Sequence, residues 1–365
     1  MSDTVQAVRY HGQRDIRLES IPAPKIAPGK VIISPKFCGI CGTDLHEYLG
    51  GANLIPKPQR PHPITGETYP LTLGHEFSGI VEEVGEGVTK VKPGDRVCVQ
   101  PIIYDGECLS CQRGLVNCCD RNGFIGLSGW GGGLCEKTMA PESCVKLLPD
   151  NVPLEVGALI EPLAVGWHAV DISPWRDNDS VLVLGGGPIG LAVIQVLKGR
   201  GCKNIIVSEV SGRRREFALN FGAHHAIDPV SEDLVKRVKD LTNGLGADVA
   251  FDAAGVQVAV DTAFLALKAR GTLVNIAVWE NRAQLHMNEI VFRERSYMGV
   301  ATYSLGDFEA VIDAISKGNM TPAEMITKKI KLDEVEKEGF STLIHDKENH
   351  VKILVDIEAS IRGSS

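Results

Sequence analysis

Short apolar runs broken by glycine, proline and charged residues dominate the first half of the chain. Val31-Ile32-Ile33, Ser78-Gly79-Ile80-Val81-Glu82-Glu83-Val84 and Arg96-Val97-Cys98-Val99 have the length and branching of strands, and Gly-rich turns separate them. This pattern predicts an irregular all-β barrel. A helical stretch from about Glu155 to Asp171 acts as a bridge. From Val181 the texture changes to strands alternating with helices. The strand runs are Val181–Leu184, Asn204–Ser208, His225–Ile227, Asp248–Asp252, Thr272–Ile276 and Ser296–Val300. Helical periodicity fills Ile189–Lys198, Arg214–Phe221, Glu232–Leu241 and Val258–Leu267 between most of them. Strands and helices in this order predict a doubly wound parallel sheet of the Rossmann kind. After about residue 303 the pattern returns to that of the first domain. The expectation is therefore an α/β protein, with one domain from 1–157 and 303–365 and a second from 158–302.

The first strand of the second half runs directly into Gly185-Gly186-Gly187-Pro188-Ile189-Gly190. Gly185, Gly187 and Gly190 fit G-x-G-x-x-G. The first glycine permits a tight turn, the second lets backbone approach a pyrophosphate, and the third lets the helix pack close to the sheet. Pro188 suits a helix's first turn, and Ile189 continues it. The free N–H groups and positive dipole end of that helix favour phosphate. An acid, Glu209, follows at the end of the next strand, positioned to accept the adenosine ribose hydroxyls. A carboxylate there disfavours a 2′-phosphate, so NAD is expected rather than NADP. Arg214, within Arg213-Arg214-Arg215, is a cation able to hold a cofactor phosphate and argues the other way.

Composition narrows the class. The chain has 365 residues, 44% hydrophobic and 23% charged, with a formal net charge of -8. That fits a soluble two-domain enzyme and disfavours nucleic acid or an anionic membrane as partner. No apolar stretch approaches the roughly 18 residues a membrane helix needs, and the polar start lacks a signal-peptide core. A cytoplasmic location is expected. Of 10 cysteines, Cys108, Cys111, Cys118 and Cys119 crowd one short segment. Without a secretory signal, such crowding indicates metal binding rather than disulfides.

Two upstream motifs carry reactive groups: Cys38-Gly39-Ile40-Cys41-Gly42-Thr43-Asp44-Leu45-His46-Glu47, and Gly74-His75-Glu76-Phe77-Ser78-Gly79 continuing through Gly85 to Val88. Together they resemble the zinc-containing medium-chain alcohol dehydrogenase family. The second motif fits the family signature GHE-x2-G-x5-G-x2-V at every fixed position. The resemblance extends through Gly94-Asp95-Arg96-Val97 and the nucleotide-binding half. Within the family it is similar to the 2,3-butanediol (acetoin) dehydrogenase branch, and next to sorbitol dehydrogenases. The stretches that carry this are Glu47-Tyr48-Leu49-Gly50-Gly51, the insertion around His62-Pro63-Ile64-Thr65-Gly66-Glu67, and Glu161-Pro162-Leu163-Ala164-Val165-Gly166-Trp167-His168.

The resemblance implies a GroES-like barrel as the catalytic domain. It implies a catalytic zinc held by Cys41, His75 and Glu161, with Glu76 an alternate or exchanging ligand; which acid binds directly stays open at this stage. Three protein ligands leave one position for water or substrate. It also implies a proton relay from Thr43 through the cofactor ribose to His46 and solvent, with Asp44 supporting a ligand from behind. Simpler roles compete. A lone histidine is more often a satisfied core residue, Thr43 suits a helix cap, and Glu161 suits a helix start facing the dipole. Cys38-x2-Cys41 has the look of a zinc-ribbon half, but the family motif places the ligand at Cys41 only, so Cys38 is expected as a small buried hydrophobe.

The segment Asp105 to Cys119 resembles the family's structural-zinc loop, C-x2-C-x2-C-x7-C. Cys108, Cys111 and Cys119 keep the last three places, and Asp105 stands in the first. Carboxylate oxygen is a legitimate zinc ligand, so a closed Cys3Asp site is expected, with Glu107 or water as the alternative fourth donor and a metal-free lobe as the rival. The functional expectation is reversible, zinc-dependent oxidation of a vicinal diol or secondary alcohol to the ketone with NAD. A polyol dehydrogenase is the alternative. A non-catalytic NAD-binding protein on the same fold would tolerate loss of Cys41, Thr43 or His46, and all three are present. The partners expected are a small alcohol or ketone and further copies of the chain, as dimer or tetramer.

Overall fold

A computed structural model describes residues 3–279 and 281–362. The chain divides into two compact units. One comprises 1–161, 304–312 and 323–365; the other comprises 162–303 and 313–322. The second unit thus takes back a short piece, 313–322, from the C-terminal region that the sequence pattern assigns wholly to the first.

The first unit is built of β-sheet. A three-stranded sheet runs in the order Asp15–Pro22, Thr4–Gly12, Leu71–Thr72. A seven-stranded sheet runs Val145–Leu147, Arg96–Val99, Glu76–Val84, Lys30–Gly39, Lys352–Asp356, Ile326–Ile330, with Thr138–Pro141 also pairing Lys30–Gly39. Alternating burial along these strands feeds one core, including Tyr10, Ile33, Leu73, Phe77, Val97, Phe340 and Ile353. The long strand Lys30–Gly39 carries a proline in its interior, which a central strand tolerates only where the ladder is interrupted. Its pairing with Glu76–Val84 does shift between Pro35 and Phe37. Past that shift, Gly39 stands opposite Glu76 and, on the other edge, opposite Leu354. The end of this strand is therefore where the first motif, the second motif and the C-terminal strand meet.

The second unit contains a six-stranded parallel sheet in the order His225–Ile227, Asn204–Ser208, Ser180–Leu184, Ala247–Asp252, Leu267–Asn275, Ser296–Gly299. Numbered along the chain this is 3-2-1-4-5-6, the doubly wound order whose reversal point lies beside the first strand. Both faces of the sheet are covered, so its strands are near-continuous apolar runs such as Val181-Leu182-Val183-Leu184, all at most 2% exposed. Each of the six strand runs expected from the pattern is present, as are the helices Pro188–Gly199, Gly212–Phe221, Leu234–Asp240 and Gln257–Ala266. The expected bridge helix is two pieces, Leu154–Gly157 and Ile160–Ile172. Among the described residues, no helix is long and apolar enough to cross a membrane.

Candidate active site

The first motif ends strand Lys30–Gly39 and starts a helix, α1 (Gly42–Gly50), with Cys41 as its N-cap. The Asp44 carboxylate turns back and accepts from the Cys41 N–H at 2.9 Å, which satisfies one free donor of the helix start. Its other oxygen lies 3.6 Å from His75 Nδ1. Both of those atoms are buried and have no hydrogen-bond partner among the described residues. The Asp44 carboxylate thus faces Nδ1, which leaves Nε2 as the ligating nitrogen of the ring, the arrangement that zinc-binding histidines adopt. Burial pushes the His75 imidazole down, but the Asp44 carboxylate and Cys41 thiolate outweigh it and hold its pKa well above the usual histidine range.

Cys41, His75 and Glu76 each offer a ligand atom within 4.8 Å of the others. A thiolate, an imidazole and a carboxylate form a donor set suited to a borderline-soft divalent ion, and the orphaned His75–Asp44 pair fits a ring oriented for metal. Thr43 Oγ1 is 3.7 Å from Cys41 Sγ. His46 follows three residues later, on the same side of α1 and exposed. Glu161, 8% exposed, opens the helix Ile160–Ile172 and stands outside the Cys41–His75–Glu76 group. Cys38 is fully buried, and burial drives its thiol pKa well up, as befits a small hydrophobe rather than a ligand.

One residue of this centre has no counterpart in the motifs. Lys352, 2% exposed, places Nζ 2.6 and 2.7 Å from the two oxygens of fully buried Glu76, and also donates to the Ile40 carbonyl at 3.4 Å. Burial works against the ammonium, yet the charges of Glu76, Cys41 and Glu161 raise its pKa overall. Gly39 makes room for the pair, since a Cβ there would stand 2.2 Å from Glu76 Oε2. The lysine arrives on the C-terminal strand, and no local spacing announces it. The only signal in the chain is a single lysine heading the apolar run Ile353-Leu354-Val355.

The cysteine lobe gathers the four donors that its spacing singled out. Asp105, Cys108, Cys111 and Cys119 present ligand atoms within 4.8 Å of one another, while Cys118 is exposed and outside the group. Asp105 Oδ1 accepts from the N–H groups of Cys108 at 2.9 Å and Glu107 at 2.8 Å, which holds its carboxyl well below the usual range. Cys108 Sγ accepts from the Cys111 N–H at 3.5 Å, and that bond lowers its pKa, whereas loss of solvent raises that of Cys111. The backbone donors thus stabilise the Asp105 carboxylate and ease ionisation of the Cys108 thiol. Glu107, exposed, contributes its N–H rather than its carboxylate.

In the second unit the glycine loop has the expected form. Gly185 adopts φ +95°, and a Cβ on Gly190 would lie 1.9 Å from the Gly185 carbonyl oxygen. Gly187 caps the helix Pro188–Gly199, with Pro188 in its first turn and Ile189 following. Glu209, 7% exposed, accepts from Gly186 N–H at 2.7 Å and from Ser211 N–H at 2.8 Å, one per carboxylate oxygen. The acid therefore braces the loop, and each oxygen keeps a further lone pair for a hydroxyl donor. The three arginines separate. Arg213 pairs with Glu216, and Arg215 donates to the Glu209 and Val210 carbonyls. Arg214 alone carries a guanidinium nitrogen beside the loop, 3.9 Å from where a Gly187 Cβ would be.

A GroES-like β unit bearing a thiolate, imidazole and carboxylate cluster, together with a Rossmann unit bearing a dinucleotide loop, defines a class. Residues 27–150 match the alcohol dehydrogenase GroES-like domain, and residues 188–317 match the zinc-binding dehydrogenase domain. The chain belongs to the zinc-dependent medium-chain alcohol dehydrogenase family, and is an NAD-dependent alcohol oxidoreductase. It is 44% identical to (R,R)-butanediol dehydrogenase of Bacillus subtilis (strain 168) over 351 residues, 96% of this chain and 99% of that one. The X-ray crystal structure of 2R,3R-butanediol dehydrogenase from Bacillus subtilis superimposes with TM-score 0.91 at 43% identity, covering 97% of this chain and 99% of that one. A probable D-xylulose reductase A of Aspergillus clavatus is 31% identical, over 91% of this chain and 94% of its own length.

Proposed function

We propose that the protein interconverts a vicinal secondary diol of the 2,3-butanediol type and its hydroxyketone with NAD. The observation that carries this reading is the joint one of donor set and kinship: Cys41, His75 and Glu76 gathered beside Thr43, in a chain that is 44% identical over its length to a butanediol dehydrogenase. When bound, zinc supplies an electrophile for the carbinol oxygen, and the nicotinamide accepts the hydride. Cys41, His75 and Glu161 hold the metal in this reading, with Glu76 kept in reserve by Lys352. The Thr43 hydroxyl accepts the alcohol's proton as it releases its own toward His46. Exposed His46, one helical turn further on, hands a proton on to solvent. The Glu209 carboxylate receives the adenosine ribose hydroxyls, and Arg214 a phosphate. Asp105, Cys108, Cys111 and Cys119 hold a second, purely structural zinc.

Substrate size would be set by the insertion around residues 48–70 and the segment 126–130. The two are laced together: Thr65 Oγ1 donates to the Ser128 carbonyl at 2.7 Å, and Trp130 N–H donates to Glu67 at 2.7 Å. Steady-state NADH formation on (R,R)-2,3-butanediol, xylitol and sorbitol tests the reading. The diol should exceed both polyols in kcat/KM by at least tenfold, and Cys41→Ser should abolish turnover while NAD still binds. The polyol alternative, supported by the D-xylulose reductase kinship, is favoured if that order is reversed.

The same reading includes assembly as a homo-oligomer in the cytoplasm. Strand Ser296–Gly299 ends its sheet, and near it in sequence Val291 and Phe292 are 61% and 77% exposed, a poor surface to leave in water. Light scattering of the zinc-loaded protein distinguishes monomer from dimer or tetramer.

A further inference from the structure

A cavity of about 310 Å³ opens at the far end of α1, lined by Arg14, Tyr48, Glu336, Lys337, Ile344 and His345 among others. None of its basic side chains, the Arg14 guanidinium, the Lys337 ammonium or the His345 imidazole, forms a hydrogen bond or ion pair among the described residues. The single carboxylate on the wall, Glu336, already accepts from the Tyr48 hydroxyl at 2.9 Å. Arg14 and Lys337 thus face one lining carboxylate, with Asp15 and Glu338 near enough to act on Tyr48 and Lys337 from outside the wall. The Ile344 side chain and the Tyr48 ring give it an apolar part, and the Phe340 ring meets Tyr48 edge-on at 5.2 Å.

Two backbone features build this place. Arg14 sits at φ +55°, a left-handed conformation that glycine or asparagine adopts more cheaply. It is held there because its N–H donates to the Tyr48 carbonyl at 2.8 Å and the neighbouring Gln13 side chain donates to the Leu49 carbonyl at 2.6 Å. Across the cavity, Val335–Phe340 forms a π-helix, six residues of a rare geometry that recurs at functional sites. It brings Glu336 and Lys337 to the wall together. The turn carries exposed arginine on a backbone that suits glycine, and it shares the cavity wall with a helix of rare geometry that presents exposed lysine.

We propose that this cavity is a binding site for a small organic dianion, whose charged groups lie against Arg14 and Lys337 and whose carbon skeleton covers Ile344 and the Tyr48 ring. Its volume falls at the lower end of the ~300–1,000 Å³ range of ligand pockets, which limits the ligand to a short dicarboxylate or a comparably small phosphorylated metabolite. Because α1 carries Thr43 and His46 near its start and Tyr48 near its end, the site is joined by one rigid element to the groups proposed to move the proton.

Calorimetric titration of the zinc-loaded enzyme with succinate, and separately with inorganic phosphate, at ionic strength matched with sodium chloride, tests the proposal. Saturable succinate binding is expected, weakened at least tenfold in the Arg14→Gly/Lys337→Gln variant, in which glycine suits the backbone that arginine occupies. Phosphate is expected to bind more weakly, since it leaves the apolar wall uncovered. Absence of saturable succinate binding, unchanged affinity in the double variant, or phosphate binding as tightly as succinate would overturn it.

Discussion

Lys352 and Glu76 stand 276 positions apart in the chain, yet the ammonium lies within hydrogen-bond distance of both oxygens of the carboxylate. Both groups are cut off from solvent, at 2% and 0% side-chain exposure. A buried pair of this kind adds little net stability against an apolar substitute, but removal of one partner strands the other charge. Here the stranded charge would be the Glu76 carboxylate, beside Cys41 and His75, and in the function proposed above the pair holds that acid back from zinc.

Lys352→Met should therefore destabilise the fold by about 3–5 kcal/mol, and the Glu76→Gln/Lys352→Met double variant should recover much of that loss. Denaturant unfolding of the unaltered protein, Lys352→Met, Glu76→Gln and the double variant measures the coupling. Additive losses would show that the ion pair does not hold the site together.

Asp44 and His75 give a pH signature. In the metal-free protein, burial lowers the imidazole pKa, but the Asp44 and Cys41 charges hold it well above the ordinary value. A folded-state pKa above the unfolded one, near ~6.5, contributes stability that is full below the unfolded value and is lost as pH rises through the folded value. Zinc takes only the neutral ring, so its affinity should climb through the same window, about tenfold per pH unit for each proton displaced. Competition with a chelator across that window measures the slope. Asp44→Asn should weaken zinc by about 10–100-fold and flatten the dependence. A slope identical to that of the unaltered protein would refute the pairing.

The Cys3Asp lobe predicts metal content. Elemental analysis should find two zinc ions per chain in the unaltered protein and one in Asp105→Ala, with the remaining ion still supporting turnover. Asp105→Cys should retain the second ion against chelator longer than aspartate does, since a fourth thiolate replaces a weaker oxygen donor. An unaltered protein with one zinc would mean that the lobe holds its shape without metal.

Glu209 accepts the Gly186 and Ser211 N–H groups, and in the proposed function it receives the ribose hydroxyls as well. Glu209→Ala should raise KM for NAD at least tenfold and that for NADP less, shifting the preference ratio toward NADP. Glu209→Gln should keep part of the loop bracing and fall between. An unchanged ratio would leave Glu209 a loop brace only.

Most of the fold was legible before any coordinates. The parallel sheet could be read because each strand–helix pair is local, and Asn204–Ser208 and His225–Ile227 fall where the apolar runs lie. The bridge was less legible, because Ala158 and Leu159, apolar and fully buried, continue the hydrophobic pattern across the break between Leu154–Gly157 and Ile160–Ile172. The return of 313–322 to the second unit had no marker in the sequence, because burial against distant residues, not periodicity, decides it.

By itself the sequence determined two groups whose partners lie within a few residues: the glycine loop and the four-donor lobe both close through short-range backbone geometry, whereas the cap of α1 falls on Cys41 and Asp44 rather than on Thr43. Only the tertiary structure decided what depends on strand register. The meeting of Gly39 with Glu76 and Leu354 delivers Lys352 to the Glu76 carboxylate, gathers Cys41, His75 and Glu76, and leaves Glu161 outside that group. Charges that far apart along a chain become neighbours only through the packing of the strands between them, and no spacing rule encodes that distance.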